Sequence, residues 1–208
     1  MTIQNLFPTP IGIYEINRPL TDEELVFLKN QDVRPNMGNV HSVNNTILKA
    51  IELEQISKFI EESVADYFKT VYSPKYDIHL KITQSWTNYT DAGQFHHKHS
   101  HPNSFVSGVF YVQADDKKDR IYFYKDVYEQ IKLPPQDWNT WNSETWWFEA
   151  NTGKLILFPS RLTHMVEPVE GEQRISLAFN TFPVGSIGDE MDLTGLSLGE
   201  LDGTLRIR

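Results

Sequence analysis

The spacing of apolar residues changes near residue 76, and this change constrains the fold more than any other feature of the chain. In residues 52–72, apolar residues recur every three or four positions, whereas Ile78, Leu80 and Ile82 alternate with polar residues. A period of two is typical of half-buried β-strands, and a period near 3.6 is typical of amphipathic helices. The sequence therefore predicts helices first and a β-rich body afterwards.

One edge strand and two helices are predicted ahead of this change. Prolines stand directly before an alternating segment at residues 11–16, which places that strand at a sheet edge. Thr21 and Glu24 have the spacing of a capping box, so a helix begins there and is expected to end near residues 32–35. Residues 52–72 are predicted to form a longer helix whose apolar face packs against a sheet.

Short strands separated by Gly, Asp, Asn and Pro are predicted through the rest of the chain. These strands cover residues 76–83, 84–90, 104–114, 119–124, 145–149, 154–158, 163–168 and 174–182. Helices followed by many short strands indicate an α+β chain, mainly β, with a sandwich or barrel core. The glycine-rich end, from Gly185 to Arg208, is expected to be an extended tail laid over the domain or partly mobile.

The length of 208 residues fits one domain, since domains typically have roughly 100 to 200 residues. We expect residues 1–75 to supply the N-terminal strand and supporting helices, residues 76–182 the β core, and residues 183–208 the tail. Residues 126–145 are expected to form a loop between two core strands. A loop of that length, flanked by aromatic residues, is often a lid or a binding loop.

Composition and charge exclude several function classes. The chain has no cysteine, which excludes disulfides, thiolate zinc sites and cysteine nucleophiles. Its formal net charge of -9 disfavours nonspecific nucleic-acid binding. No stretch approaches the ~18 apolar residues of a membrane span. We therefore expect a cytoplasmic protein with no nucleic-acid or membrane partner.

Five of the histidines are placed where a metal could use them. His96, His97, His99 and His101 crowd one segment, and His164 lies far downstream after a strand-like run. In an extended strand, His97, His99 and His101 would share one face, and His96 would lie on the opposite face. A distant histidine could then complete a site. The alternatives are a solvated histidine-rich loop and a core imidazole bonded to a carbonyl group.

Arg174 and Ser176 lie in a strand that otherwise suits burial. They would face the same side, two residues apart. A buried guanidinium group needs an anion, and its planar fork suits a carboxylate, to which the serine hydroxyl would add a third hydrogen bond. The alternative is an arginine at a strand end that projects into water, as arginines mostly do.

Several short patterns within residues 85–182 resemble those of one enzyme superfamily. The patterns are Gly93-Gln94, His99-x-His101, His99-Ser-His-Pro-Asn-Ser104, Ser107-Gly-Val-Phe-Tyr111, Val109-Phe-Tyr-Val112, Phe158-Pro-Ser160, His164 and Arg174-x-Ser176. Together they resemble the 2-oxoglutarate/Fe(II)-dependent oxygenases, in the prolyl-hydroxylase-like branch, and especially the oxygenases of that kind found in bacteria and tailed phages. The resemblance implies a double-stranded β-helix, or jelly roll, with the metal inside its mouth.

The resemblance also implies roles for individual residues. His99 and His164 match the two histidine ligands of Fe(II), the metal cofactor of the family. Arg174 and Ser176 match the pair that binds the distal carboxylate of 2-oxoglutarate, and Tyr111 matches a tyrosine that touches the same carboxylate. Ascorbate is a candidate reductant in such enzymes. A bacterial cell or a phage-infected host is the implied location.

One position departs from the family pattern, which has aspartate or glutamate where this chain has His101. A neutral imidazole leaves the site one negative charge short. Three explanations compete: a three-histidine site; a carboxylate supplied by Asp115 or Asp126; and a pair formed by His97 with His99. The first is favoured, because the spacing from Gly93-Gln94 aligns His99 and His101 with the family motif. The substitution could also have abolished catalysis.

The function implied by the resemblance is that of an Fe(II)- and 2-oxoglutarate-dependent dioxygenase, most simply a hydroxylase. Its substrate is unidentified, a protein, a peptide or a small molecule, with peptidyl proline as one candidate. A cupin-like metalloprotein of other activity is one alternative, and a non-catalytic jelly-roll module with a binding or structural role is another. The sequence does not predict an oligomeric state.

Overall fold

A computed structural model of the chain describes residues 1–126, 131 and 133–199. Its helices are α1 (Asp22–Lys29) and α2 (Glu54–Tyr72), with 3-10 turns at Ile47–Lys49 and Ile51–Leu53. Its strands are β1 (Gly12–Glu15), β2 (Val33–Pro35), β3 (Val40–Ser42), β4 (Ile78–Thr90), β5 (His96–His99), β6 (Val106–Gln113), β7 (Arg120–Tyr124), β8 (Thr145–Glu149), β9 (Lys154–Pro159), β10 (His164–Val166), β11 (Arg174–Ile187) and β12 (Leu196–Leu198). Within this part of the chain, no helix is long and apolar enough to cross a membrane.

The strands form two sheets. The larger sheet has the order β1-β9-β6-β11-β4-β3-β2, with β12 paired to β11, and the smaller sheet has the order β5-β10-β7-β8. Neighbouring strands in both sheets run antiparallel. This mainly β architecture, with helices against the larger sheet, confirms the predicted jelly roll.

Two clusters of apolar side chains cover the two faces of the larger sheet. On one face, Ile56 and Ile60 of α2 belong to the same buried cluster as Phe110 and Leu177. On the other face, a second cluster, which includes Val109, lies between the two sheets. Because both faces are covered, β6 and β9 are buried along nearly their whole length and read as continuous apolar runs. The second cluster borders the candidate site.

The N-terminal predictions are largely confirmed. β1 is the edge strand of the larger sheet. The capping box is present, since the Thr21 hydroxyl accepts from the Glu24 amide and the Glu24 carboxylate accepts from the Thr21 amide. Helix α1 nevertheless ends at Lys29, earlier than residues 32–35, because Val33–Pro35 pair with β3 instead. The long helix matches its prediction closely.

The strand predictions hold for the core and need correction at the margins. The two strands predicted at residues 76–83 and 84–90 are the single strand β4, and β11 continues beyond residue 182 to Ile187. The short strands β2, β3 and β12 were not predicted, because a strand of three residues carries too little periodicity. β12 pairs with the end of β11, so part of the predicted tail is a hairpin.

Parts of two predictions lie outside the described residues. Residues 127–130 and 132 belong to the predicted loop at 126–145, and residues 200–208 belong to the predicted tail. The division into an N-terminal segment, a β core and a tail stays a prediction.

Candidate metal centre

A pocket opens between the two sheets, and strands of both supply its walls. From the larger sheet it is lined by Trp86, Asn88, Gly108, Val109, Tyr111, Phe158, Arg174, Ser176 and Ala178. From the smaller sheet and its adjoining segments it is lined by His96, His99, His101, Ile121, His164, Met165 and Val166. The pocket therefore combines an imidazole-rich wall with a wall that carries one cation and several hydrogen-bonding groups.

The pairing of β11 with β4 and β6 explains which side chains form the wall on the larger sheet. Ser176 on β11 lies opposite Asn88 on β4 and opposite Tyr111 on β6. Directly opposed residues in an antiparallel pair point to the same face, and so do residues two apart along a strand. Arg174 therefore shares the pocket face with these three polar side chains.

Three of the histidines converge at the mouth of the jelly roll. His99 on β5 lies directly opposite His164 on β10, and the His101 amide donates to the Ser160 carbonyl at 2.9 Å. The Nε2 atoms of His101 and His164 are 3.2 Å apart. One ring nitrogen from each of the three imidazoles falls within 4.8 Å of the others. The spacing allows one ion to be bound after small side-chain adjustments.

Backbone carbonyls set the tautomers of two of these rings. The Nδ1 atom of His99 lies 2.7 Å from the His97 carbonyl oxygen, and Nδ1 of His164 lies 3.0 Å from the Leu162 carbonyl oxygen. A carbonyl oxygen only accepts, so each Nδ1 carries the proton and each Nε2 keeps a free lone pair. This arrangement is the usual support of a metal-bound histidine.

Burial keeps the three imidazoles neutral. Desolvation, with the neighbouring histidines adding to it, lowers the pKa of His101 to about 4 and that of His164 to about 3. Desolvation also lowers the pKa of His99. Because a metal ion binds the neutral form of imidazole, these groups are ready to bind at neutral pH without losing a proton.

A second histidine group shares one member with the first. One ring nitrogen each from His96, His97 and His99 also falls within 4.8 Å of the others. The prediction that His96 faces away from His99 is wrong, because its ring stacks on that of His99 at 4.8 Å and lines the pocket. The cause is an irregularity in the β5–β10 pairing, where His164 and Val166 oppose His99 and His96. An extra residue in one strand reverses the side on which later side chains lie.

The proposed carboxylate substitutes do not join either group. Asp115 accepts from the Lys117 amide at 2.9 Å in the loop after β6, and Asp126 is exposed. In the described part of the chain, the clusters of His, Asp or Glu that could hold a metal contain only histidines. The ligand atoms that these two groups could offer to a metal ion are therefore all nitrogen atoms of neutral imidazoles.

Arg174 is buried without an anion. It is 2% exposed, and its Nε and Nη1 atoms have no hydrogen-bond partner among the described residues. Desolvation lowers its pKa, which the nearby Tyr111 and Asp119 partly oppose. Asp119 does not form an ion pair with it, since no described carboxylate oxygen lies within 4.0 Å of the guanidinium group. Unsatisfied buried donors of this kind fit an anionic ligand.

Two further buried polar atoms lie beside Arg174. The Tyr111 hydroxyl and the Asn88 Oδ1 atom have no hydrogen-bond partner within the part of the chain that the structure describes. Burial raises the pKa of Tyr111, so its hydroxyl stays protonated and can donate. The three converging imidazoles and these polar groups thus line one pocket.

Asn88 and His96 line the pocket, although neither was predicted to do so. Asn88 lies in a predicted strand, but its role depends on pairing with Ser176, which is remote in sequence. A polar residue within a largely buried strand was the available signal, since such residues need partners when buried.

Residues 84–180 match the model of a protein family described as "putative 2OG-Fe(II) oxygenase". The match includes all the pocket-lining residues described above. Among curated proteins, none matches the chain.

Solved structures with the same fold include several such enzymes. A 2OG-Fe(II) oxygenase-family oxidoreductase from Burkholderia pseudomallei is 14% identical with a TM-score of 0.53, covering 75% of this chain and 74% of its own. HygX from Streptomyces hygroscopicus, solved with nickel, 2-oxoglutarate and hygromycin B, is 11% identical with a TM-score of 0.55, covering 93% of each chain. A prolyl-4-hydroxylase from Pseudomonas putida is 14% identical with a TM-score of 0.52, covering 83% of this chain and 92% of its own.

At these identities the structures show the fold, and the family model shows a similarity that covers residues 84–180. This segment of the chain is similar to the 2-oxoglutarate- and Fe(II)-dependent oxygenases, and the jelly roll is the fold of solved structures that include a prolyl-4-hydroxylase.

Proposed function

We propose that His99, His101 and His164 hold the Fe(II) ion of this oxygenase and that Arg174 binds the distal carboxylate of 2-oxoglutarate. The observation that carries the proposal is the convergence of three neutral imidazoles beside a buried guanidinium group, two of whose nitrogen atoms have no partner among the described residues. A structural arginine would be expected to have its partners within the protein, because an unpaired buried charge is costly.

The remaining polar groups of the pocket define how the keto acid lies. Ser176 and the Tyr111 hydroxyl flank Arg174 and donate to the same carboxylate, and the Asn88 amide lies on the opposite side of Ser176. An Fe(II) ion held by the three histidines would supply the oxidising chemistry. Trp86, Val109 and Phe158 form apolar walls that exclude water from the reacting groups.

The charge of the site favours a doubly negative cosubstrate. With three neutral ligands, a divalent ion keeps its full charge, whereas a carboxylate ligand would neutralise part of it. The guanidinium group adds a further positive charge in a region of low dielectric constant. A dicarboxylate places one negative charge near each of these two centres, so 2-oxoglutarate is the complementary ligand.

Hydroxylation of an unidentified substrate is the reaction we propose. Peptidyl proline and small molecules are both candidates, because a prolyl-4-hydroxylase and the hygromycin B-bound HygX share the fold. The formal charge of -9 supports a substrate other than nucleic acid. The absence of cysteine and of membrane-spanning helices in the described chain supports our expectation of a cytoplasmic enzyme.

Turnover of 2-oxoglutarate tests the proposal without knowledge of the substrate. We expect the purified protein with Fe(II) and ascorbate to bind 2-oxoglutarate and to decarboxylate it slowly, and more rapidly with a productive member of a substrate panel. Chelation of the metal should abolish both binding and turnover. Metal binding without keto-acid binding would contradict the proposal and favour a cupin-like metalloprotein, and the absence of both would favour a non-catalytic jelly roll.

A further inference from the structure

Four of the five tryptophans of the chain lie within residues 138–147, and all four are exposed. Trp138 and Trp141, in the loop before β8, are 64% and 56% exposed, and Trp146 and Trp147, on β8, are 37% and 41% exposed. Tryptophan is highly buried on average, and clustered exposed apolar side chains mark interaction surfaces. None of the four lines the pocket, so the proposed binding of metal and keto acid leaves them without a role.

Trp146 is in register with the proposed metal ligand His164. Phe123 on β7 is directly opposite His164 on β10 and directly opposite Trp146 on β8. Directly opposed side chains lie on the same face of a sheet, so the Trp146 side chain is on the face that carries the proposed metal centre. Adjacent strands are about 4.8 Å apart, which places β8 about 10 Å from β10. The Trp146 side chain therefore flanks the proposed site from β8.

Hydrogen bonds hold the loop before β8 in place. Asn139 Oδ1 accepts from the Trp141 amide at 2.8 Å, and Asn142 Oδ1 accepts from the Asn139 amide at 2.8 Å. The Trp141 indole donates to Asn5 Oδ1 at 2.8 Å, and Lys125 Nζ donates to the Trp141 carbonyl oxygen at 3.4 Å. The exposed side chains of this loop are therefore ordered before a partner binds, which lowers the entropy cost of binding.

One side of β8 is an open sheet edge. β8 ends the smaller sheet, so in the described part of the chain no strand lies on its side away from β7. The Lys125 amide donates to the Glu144 carbonyl oxygen at 2.9 Å, which makes these residues a hydrogen-bonded pair. Such pairs alternate along antiparallel strands, so the N–H groups of Thr145 and Trp147 point away from β7. Open edges of this kind pair with other extended chains.

The charged residues of this segment are all acidic. Residues 133–149 contain Asp137, Glu144 and Glu149 and no lysine or arginine, within a chain of formal net charge -9. Two cations of the neighbouring β7 segment are already engaged, since Lys125 donates to the Trp141 carbonyl oxygen and Arg120 stacks on Trp147. The charge of the segment is therefore complementary to a cationic partner.

The exposed indoles favour the same kind of partner. The face of an aromatic ring attracts ammonium and guanidinium groups, and tryptophan attracts them most strongly. The chain itself has such a contact, because the Arg120 guanidinium carbon lies 4.2 Å from the centre of the Trp147 ring. Lysine and arginine side chains of a partner would find both aromatic faces and carboxylates here.

We propose that β8 and the loop before it dock an extended polypeptide segment rich in lysine and arginine, which belongs to the substrate. The backbone of the segment pairs with the open edge of β8, and its cationic side chains stack on the exposed indoles. An edge strand recognises another backbone, so the site takes a polypeptide and not a small molecule. The inference rests on the proposed function and narrows its substrate to a basic polypeptide.

The spacing of the strands sets where the reacting residue lies. A strand added to β8 would be about 14 Å from β10, and an extended chain advances about 3.3 Å per residue. The residue that is oxidised is therefore at least about four residues from the docked segment. Docking and reaction use different parts of the same polypeptide.

Fluorescence anisotropy of a short labelled peptide that alternates lysine and valine tests the inference on the metal-free full chain. We expect binding that weakens as salt is added, and no binding of a peptide that alternates glutamate and valine. Trp146→Ala should weaken binding of the basic peptide by about 10-fold, the size of one cation–π contact. Tyr76→Ala is the matched control: Tyr76 is 41% exposed and lies outside the smaller sheet, so the change should be less than about 2-fold.

A proline substitution tests the pairing with the edge of β8. Thr145→Pro removes an N–H group that points away from β7, and edge strands tolerate proline. It should weaken binding of the basic peptide by about 3- to 10-fold, the range for one lost hydrogen bond. Thr145→Val keeps the N–H group and should stay within about 2-fold of the native protein. Thermal unfolding of each variant checks the fold.

Spermine, a small polyamine, distinguishes a polypeptide site from a site for small cations. Spermine binding as tight as that of the basic peptide, with Thr145→Pro leaving both unchanged, would overturn the inference. Equal binding of the acidic peptide, no binding of the basic peptide, or full affinity in Trp146→Ala would also overturn it. Turnover of 2-oxoglutarate without binding of the basic peptide would contradict this inference alone. Peptide binding without any binding of metal or keto acid would contradict the proposed function and leave the docking surface in place.

Discussion

Replacing Arg174 with methionine should remove the affinity for 2-oxoglutarate and, at the same time, make the ligand-free protein no less stable. Arg174 is 2% exposed, and its Nε and Nη1 atoms have no partner within residues 1–126, 131 and 133–199. Methionine has a similar reach and carries no charge, so it removes a desolvation cost that no ion pair offsets. We expect the unfolding temperature without ligand to stay constant or to rise by a few degrees.

The loss of ligand affinity should be large. Two charge-assisted hydrogen bonds, at about 1.5 to 3 kcal/mol each, correspond to a loss of roughly 100- to 10,000-fold in the 2-oxoglutarate dissociation constant. Calorimetric titration of the Mn(II)-loaded protein would measure it, beside thermal unfolding of the metal-free protein. Mn(II) affinity in the absence of 2-oxoglutarate should change far less, because Arg174 does not touch the metal.

Arg161→Met is the matched control, since Arg161 is exposed and lies outside the pocket. It should leave 2-oxoglutarate affinity unchanged. The structural alternative makes the opposite prediction for Arg174: in a cupin-like protein, methionine there would destabilise the fold and leave keto-acid affinity as it was. That pair of results would contradict the assignment of Arg174.

Replacing His164 with leucine should weaken metal binding by more than about 100-fold. This loss exceeds the one expected when a metal ligand loses only its hydrogen-bond partner. His164 packs against Phe158 at a ring-centroid distance of 4.7 Å, and leucine fills most of that space. The substitution therefore removes a proposed ligand with little change in packing. Fe(II) or Mn(II) titration under anaerobic conditions would give the dissociation constant, and circular dichroism would check the fold.

The companion variant His97→Leu distinguishes the two histidine groups. His99 belongs to both groups, whereas His164 belongs to one and His97 to the other. His97→Leu should change metal affinity by less than about 3-fold, since its ring is outside the pocket wall. A large loss with His97→Leu and none with His164→Leu would show that the ion binds between His96, His97 and His99.

Local sequence patterns were sufficient to predict most helices and strands of the core and the chemistry of single residues. The Thr21 and Glu24 capping box, the stripe of α2 and the alternation in β4 each depend on neighbours within a few positions. The residues predicted to bind metal and cosubstrate line one pocket, as an antiparallel jelly roll allows. Strand periodicity predicted that Arg174 and Ser176 share one face, whereas Tyr111 was predicted only through the resemblance to the oxygenases.

The remaining features depend on pairing between distant segments. The His96 side chain is in the pocket because the pairing of β5 with β10 shifts register between His164 and Val166. A shift of one residue moves side chains to the other face of a strand, and the composition of the sequence does not reveal it. Asn88 lies in the pocket because β4 pairs with β11, where Ser176 is its partner. Such contacts follow from strand order and register, which one sequence does not specify.

An anomalous diffraction map of crystals grown with Mn(II) and 2-oxoglutarate would test the central claim most directly. The claim requires a single metal peak within bonding distance of Nε2 of His99, His101 and His164, with the distal carboxylate of the keto acid on the Arg174 guanidinium group. A metal peak between His96 and His97, or a keto acid bound away from Arg174, would contradict it.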